Sequence, residues 1–133
     1  MTWVLDTNTV VFCLRGKRPS VLQTLMSKRA ESVFIPMQVR AELLVGAAKS
    51  ARPDESRAAV RKFIAPFELI EADTMVTEEY VRIRIALENA GKQISEADLW
   101  IAATALNCGS TLVTNNTTEF SRISGLNLED WSQ

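Results

Sequence analysis

Trp3-Val4-Leu5-Asp6-Thr7-Asn8-Thr9 sets a short apolar run against a polar burst, with an aspartate at the break. A run of that kind, with no alternation, suits a strand covered on both faces, as in a parallel sheet. The carboxyl end of such a strand is where side chains leave the core and face a crevice. Asp6 is therefore the first candidate functional residue. The position suits a helix cap equally well, because Asp6 or Asn8 would accept hydrogen bonds from the free N–H groups of a following first turn. Both roles stay open on this stretch alone.

The surrounding composition narrows the chemistry. With 133 residues, 47% hydrophobic and 23% charged, the chain has the size and mixture of one folded domain spanning 1–133. No apolar stretch approaches the roughly 18 residues of a membrane span, and Asp6 interrupts the one N-terminal candidate for a signal sequence. A cytoplasmic protein with no membrane partner is expected. Cys13 and Cys108 form no CxxC pair and sit among apolar residues, so reduced core thiols are expected. The absence of histidine excludes imidazole acid-base chemistry, histidine triads and histidine-ligated zinc. Charge is uneven: residues 1–53 hold eight Lys or Arg against three Asp or Glu, and 54–133 hold seven against thirteen. Such asymmetry suits either a polyanion-binding face or solvated helices. Arg15, Lys17, Arg18, Lys28, Arg29, Arg40, Lys49 and Arg52 are the candidate phosphate contacts.

Working outward from the first strand, Thr9 to Leu14 reads as a helix apolar on every side, to be sandwiched inside the domain or covered by a partner. Ser20 and Gln23 have capping-box spacing for a second helix running to about Arg29. Ser32 to Ile35 reads as a second strand, and Pro36 suits the first turn of a third helix reaching about Ala48. A fourth helix is expected from about Glu55 to Ala65, a third strand at Phe67 to Ile70, and a long helix from Asp73 or Thr74 to about Asn89, closed near Gly91. Ser95 to Asn107 reads as a further helix, Thr111 to Thr114 as a fourth buried strand, and Leu126 to Leu128 as a weak last one.

Acids and amides recur at three more places. In the third helix, Glu42 falls within the stripe made by Val39, Leu43 and Gly46, where an ionised carboxylate needs a cation or donors. Asp98 heads the otherwise apolar face Ile101, Ala102, Ala105 and Leu106, and is also spaced to complete a capping box with Ser95. The fourth strand ends, like the first, in polar residues, with Asn116 and Glu119 again at capping distance. Strands alternating with helices imply an α/β domain with a parallel sheet and right-handed crossovers, so Asp6 and Thr114 point the same way. Glu42 and Asp98 would then join Asp6 in an acidic pocket at one edge. Several carboxylates so close must bind a cation or take up protons. All-oxygen ligation favours magnesium or manganese over zinc.

Taken together, four segments resemble the PIN-domain ribonucleases, most of all the VapC-type toxins of bacterial toxin-antitoxin pairs. They are Leu5-Asp-Thr-Asn8, Ala41-Glu-Leu43 followed by Gly46, Ile94-Ser-Glu-Ala-Asp98-Leu-Trp-Ile-Ala-Ala103 and Val113-Thr-Asn-Asn-Thr-Thr-Glu-Phe120. The likeness extends to the Glu129-Asp130-Trp131 ending and covers essentially the whole chain. It implies a three-layer α/β/α fold around a mainly parallel sheet of four or five strands. It also implies a metal-dependent endoribonuclease site in which Asp6, Glu42 and Asp98 match the family's acids. Where many members carry a fourth acid this chain has Asn116, and Glu119 or Glu96 is left to supply the missing charge. The family further implies an antitoxin partner covering the helical hairpin at Val10 to Leu14, a homodimer, and an RNA substrate that is in several members transfer RNA.

The expected chemistry is phosphodiester hydrolysis assisted by one or two Mg²⁺, with Mn²⁺ able to substitute. Asp6 and Asp98 would be ligands and Glu42 a further ligand or water-orienting base, with Thr7, Asn8, Thr114, Asn116 and Glu119 fixing them from behind. Two other classes compete. An aspartate-nucleophile phosphatase would also place Asp6 at a strand end, although Asn8 stands where its second aspartate belongs. A binding module for RNA or protein, without catalysis, would use the acids as caps or as ligands of a structural ion.

Overall fold

In a computed structural model describing residues 1–133, the three-residue run becomes strand β1 (Trp3–Leu5), the middle of a five-stranded parallel sheet. The other strands are β2 (Val33–Pro36), β3 (Glu68–Ile70), β4 (Thr111–Val113) and β5 (Leu128–Glu129), in the spatial order β3-β2-β1-β4-β5. Seven helices flank the sheet in a three-layer arrangement: α1 (Thr7–Leu14), α2 (Pro19–Met26), α3 (Met37–Ala48), α4 (Pro53–Ile64), α5 (Thr74–Asn89), α6 (Glu96–Cys108) and α7 (Thr117–Phe120). The chain first builds outward from β1 through β2 to β3, then crosses to the other side of β1 for β4 and β5. The reversal makes the carboxyl ends of β1 and β4 a topological switch point, the place where open parallel sheets bind ligands.

The central strands are apolar because both faces are covered. Val4, Leu5, Val33, Ile35, Leu112 and Val113 expose nothing to solvent. Helix α6 is buried almost all round, from Leu99 to Ala105, and not along one stripe as the periodicity suggested. Small Ala102, Ala103 and Ala105, all fully buried, permit that close approach. In α1, Val10 and Cys13 enter the core, while Val11, Phe12 and Leu14 are half-buried against it, so most of the all-round apolar character is absorbed inside the domain. Cys13 and Cys108 are free, and burial pushes the Cys13 thiol up to about 11, so it remains protonated at neutral pH. No helix is long and apolar enough to cross a membrane.

Several local expectations are corrected. Ser20 does not cap α2: Arg18 takes a left-handed conformation (φ 50°), Pro19 occupies the first turn, and the Ser20 hydroxyl instead donates to the Trp131 carbonyl at 2.8 Å. The helix stops at Met26, three residues short of Arg29. Pro36 closes β2 and flanks α3 as its cap residue instead of lying within its first turn. The last strand forms at Leu128–Glu129. It is pinned there by the indole N–H groups of Trp3 and Trp131, which both donate to Glu129 Oε1, at 3.3 and 2.9 Å.

Candidate active site

The two adjoining strands β1 and β4 set the frame of the site. Leu5 pairs with Val113, so Asp6 and Thr114 leave the sheet side by side, and the Asp6 N–H donates to the Val113 carbonyl at 3.2 Å. Asp6 is only 4% exposed, and its Oδ1 accepts the Thr9 N–H at 2.9 Å, so it does cap α1. Capping does not account for the charge. An asparagine or serine would cap as well, whereas a buried carboxylate resists ionisation. Burial drives the Asp6 pKa up, Thr114 and Thr9 hydrogen bonds partly offset it, and the nearby Glu42 charge raises it further.

Asp98 arrives from the first turn of α6, where the helix dipole favours a carboxylate. The capping box forms on one side only: Ser95 Oγ accepts the Asp98 N–H at 3.2 Å, while no Ser95 N–H returns to the Asp98 carboxylate. The carboxylate is left half-buried and uncommitted to the backbone. Its pKa is raised, first by burial against an offsetting Ser95 bond, then by the charges of Asp6, Glu119 and Glu42. Asp98 thus feels acids carried by β1, α3 and α7, which no local sequence relation connects.

Glu42 differs from its expected setting. The buried stripe of α3 is Val39, Leu43 and Ala47, and Glu42 with Gly46 lies outside it, exposed. A single donor holds Glu42: the Thr7 hydroxyl, 2.9 Å from Oε1. Replacing Thr7 by valine removes that donor at nearly constant volume. Cleavage is expected to fall about 10- to 100-fold with the thermal midpoint almost unmoved. Rates of RNA cleavage alongside thermal melts check this, and an unchanged rate removes Thr7 from the site.

Asn116 also departs from its expected role. It flanks α7 without capping it, its N–H donates to Thr114 Oγ1 at 2.9 Å, and its amide donates to Glu119 Oε2 at 3.1 Å. The residue standing in place of an acid therefore steers the next one. Glu96, the other candidate for the fourth charge, is engaged elsewhere: it accepts from the Tyr80 hydroxyl and pairs with Arg84 at 3.2 Å. The Glu119 charge is among those that raise the Asp98 pKa. Glu119→Gln is accordingly expected to weaken metal-supported cleavage by about tenfold or more, and Glu96→Gln to change it less than about twofold. Metal titrations of both variants separate these outcomes, and equal effects would contradict the assignment. Asn8 is exposed and makes no side-chain bond.

Thr9 was missed from sequence. It is 3% exposed, its N–H serves Asp6, and its hydroxyl donates to the Val113 carbonyl at 3.0 Å, tying α1 to β4 directly beneath the carboxylate. The only signal was a hydroxyl three residues after a capping aspartate. Among the basic candidates, Lys28 lies 4.3 Å from the Trp3 ring centroid, Arg18 lies over Phe12, and Arg29 and Arg52 pair with Glu31 and Glu55. Arg15, Lys17, Arg40 and Lys49 have no ion-pair partner.

The donor set fits a hard divalent cation: it consists of carboxylates whose mutual repulsion an ion would relieve, with no thiolate or imidazole. No three acidic side chains are drawn together as a ready-made cluster.

Comparison with known proteins gives a consistent picture. The PIN domain family model matches residues 3–126. The tRNA(fMet)-specific endonuclease VapC of Salmonella typhimurium is 34% identical, with 98% of each chain covered. Ribonuclease VapC2 of Rickettsia felis is 34% identical over the whole of both chains. Among solved structures, the chain is similar to one described as DNA-bound VapBC from Salmonella typhimurium, with a TM-score of 0.92, 33% identity and 98% of each chain covered.

Proposed function

The chain belongs to the PIN-domain family, in its VapC ribonuclease branch, and from that premise we propose that it is a metal-dependent endoribonuclease, the toxin of a toxin-antitoxin pair. The observation that carries the reading is the buried carboxylate of Asp6 at the switch point of the sheet, with the Asp98 pKa raised by burial and by the charges of Asp6, Glu119 and Glu42. Asp6 and Asp98 would hold Mg²⁺ or Mn²⁺, with Glu42 as a further ligand or base. The bound ion supplies a lowered pKa for the attacking water and neutralises charge on the phosphate. Glu42, exposed and steadied by Thr7, would orient that water and take its proton. Water oxygen bonds to phosphorus, the P–O3′ bond breaks, and the departing oxygen takes up a proton to leave a 3′-hydroxyl. Thr9 and Thr114 keep Asp6 in position, and Asn116 does the same for Glu119.

The named substrate of the Salmonella relative makes transfer RNA the first class to test. The VapBC assemblies among the similar structures support a cognate antitoxin, and a homodimer belongs to the same reading. An apolar surface is left for a partner on the α1–α2 hairpin, where Leu22 is 41% and Met26 75% exposed beside Phe12, around a groove of about 500 Å³. The phosphatase alternative gains no support, since Asn8 is exposed where a second aspartate is required.

Brief induction in cells, followed by mapping of cleaved RNA ends, tests the proposal, with Asp6→Asn as control. New ends bearing 3′-hydroxyls, absent with the variant and abolished by chelation in the purified reaction, are the expected result. Identical RNA patterns for the two proteins would overturn it.

A further inference from the structure

Beside Glu42 a cleft of about 260 Å³ runs between α1, α3 and α4, and Thr7 and Glu42 form part of its wall. We propose that this cleft seats the base of the nucleotide adjoining the cleaved bond, and so helps to choose which RNA is cut. The inference rests on the nuclease reading above and adds a recognition site to it.

Three observations converge. The first is continuity: the carboxylate that would face the phosphate also walls the cleft, so the cleft adjoins the place proposed for the cleaved bond. The second is chemistry. Val11, Leu14, Leu43 and Val60 offer an apolar lining suited to the flat face of a base, with the hydrogen-bonded hydroxyls of Ser50 and Ser56, 2.8 Å apart, as polar markers. Arg15 lines the same cleft, is exposed, and has no acidic partner, leaving its guanidinium for a flanking phosphate.

The third concerns Gly46. Glycine weakens a helix interior, and it is normally retained there for unusual dihedrals or a close neighbour. Neither applies here, since Gly46 has no left-handed backbone and a Cβ built on it would meet nothing within 4 Å. It lies in α3 one turn after Glu42 and opens onto the cleft. Its missing side chain keeps the space free.

Gly46→Leu is the test, because it projects into the cleft from a helix position where a Cβ meets nothing within 4 Å. Two measurements follow. In the first, NMR titration of the wild type with the four nucleoside 5′-monophosphates is compared with ribose 5-phosphate. Amide shifts at Gly46 and Ala47 with at least one nucleotide, absent with ribose 5-phosphate and lost for Ser56 and Ala59 in the Leu variant, are expected. In the second, cleavage of total cellular RNA by the Leu variant is expected to slow by about tenfold or more. Gly46→Ala should lie between the two, and melting midpoints should be no lower than for the wild type. If no nucleotide shifts these amides, or if Gly46→Leu cuts RNA at the wild-type rate, the proposal is overturned. Loss of antitoxin binding with undiminished cleavage would likewise overturn it and give the cleft to the antitoxin. A wild-type protein that cuts no RNA would instead overturn the nuclease reading, while the nucleotide titration still decides the cleft.

Discussion

Asp98→Asn is expected to abolish RNA cleavage, by about a thousandfold or more, while leaving the fold as stable as the wild type or more so. The first half follows from position. Burial raises the Asp98 pKa, and the charges of Asp6, Glu119 and Glu42 raise it further, so on the proposed reading Asp98 would be a ligand of the cation. Removing one preorganised electrostatic partner of a reacting phosphate commonly costs two to three orders of magnitude, and a ligand at least as much, at about that scale. The second half follows from what the carboxylate does not do. Helix α6 is capped by Ser95 through the Asp98 main-chain N–H, and the Asp98 side chain returns no bond to the Ser95 N–H. An amide of the same shape leaves that cap intact and relieves the repulsion. Circular dichroism and thermal melts beside RNA cleavage rates make the check. Cleavage within about twofold of wild type would remove Asp98 from the catalytic centre.

The split between what could be read from the chain and what could not follows the reach of each interaction. The apolar run at Trp3 to Leu5 specified a buried strand because covered strands have no alternative composition, and Asp6 at its end followed from topology. Asp98 was legible as a carboxylate heading an apolar helix. Whether Asp98 reached back to Ser95 was not legible, since the spacing for a capping box is the same whether one bond forms or two. Glu42 was placed correctly in sequence and wrongly in environment. A stripe drawn through Val39, Leu43 and Gly46 included it, but the helix packs on Val39, Leu43 and Ala47, a rotation of part of a turn that leaves Glu42 outside. Ser20 failed for a longer-range reason: the Trp131 carbonyl, 111 residues later, claims its hydroxyl. Glu96 and Glu119 looked interchangeable as suppliers of charge until Tyr80 and Arg84 were seen to hold the first and Asn116 the second.

Asp6→Asn is expected to reverse the order of stability between metal-free and metal-bound protein. Without metal, burial raises the folded-state pKa of Asp6 above its unfolded value, with Glu42 adding to the effect. A carboxyl group shifted in that direction favours the folded state while protonated. Its contribution is lost as pH rises from the unfolded pKa through the folded one, so the ionised form opposes folding at neutral pH. Asparagine keeps the cap on Thr9 without carrying charge. In chelator at pH 7 the variant should therefore melt a few degrees higher, the response of a domain this size to about 1 kcal/mol. The gap should narrow as pH is lowered towards the ordinary carboxylate range. Saturating Mg²⁺ acts in the opposite sense. A ligand at about a hundred times its dissociation constant stabilises the protein that binds it by about 2.7 kcal/mol, enough to raise the wild type past a variant that has lost a ligand. Melting curves of both proteins, with chelator and with Mg²⁺, across pH 4 to 8, give the measurement. If the wild type is the more stable in chelator at neutral pH, the buried carboxylate is satisfied by the protein alone, and the reason for placing a cation beside it disappears.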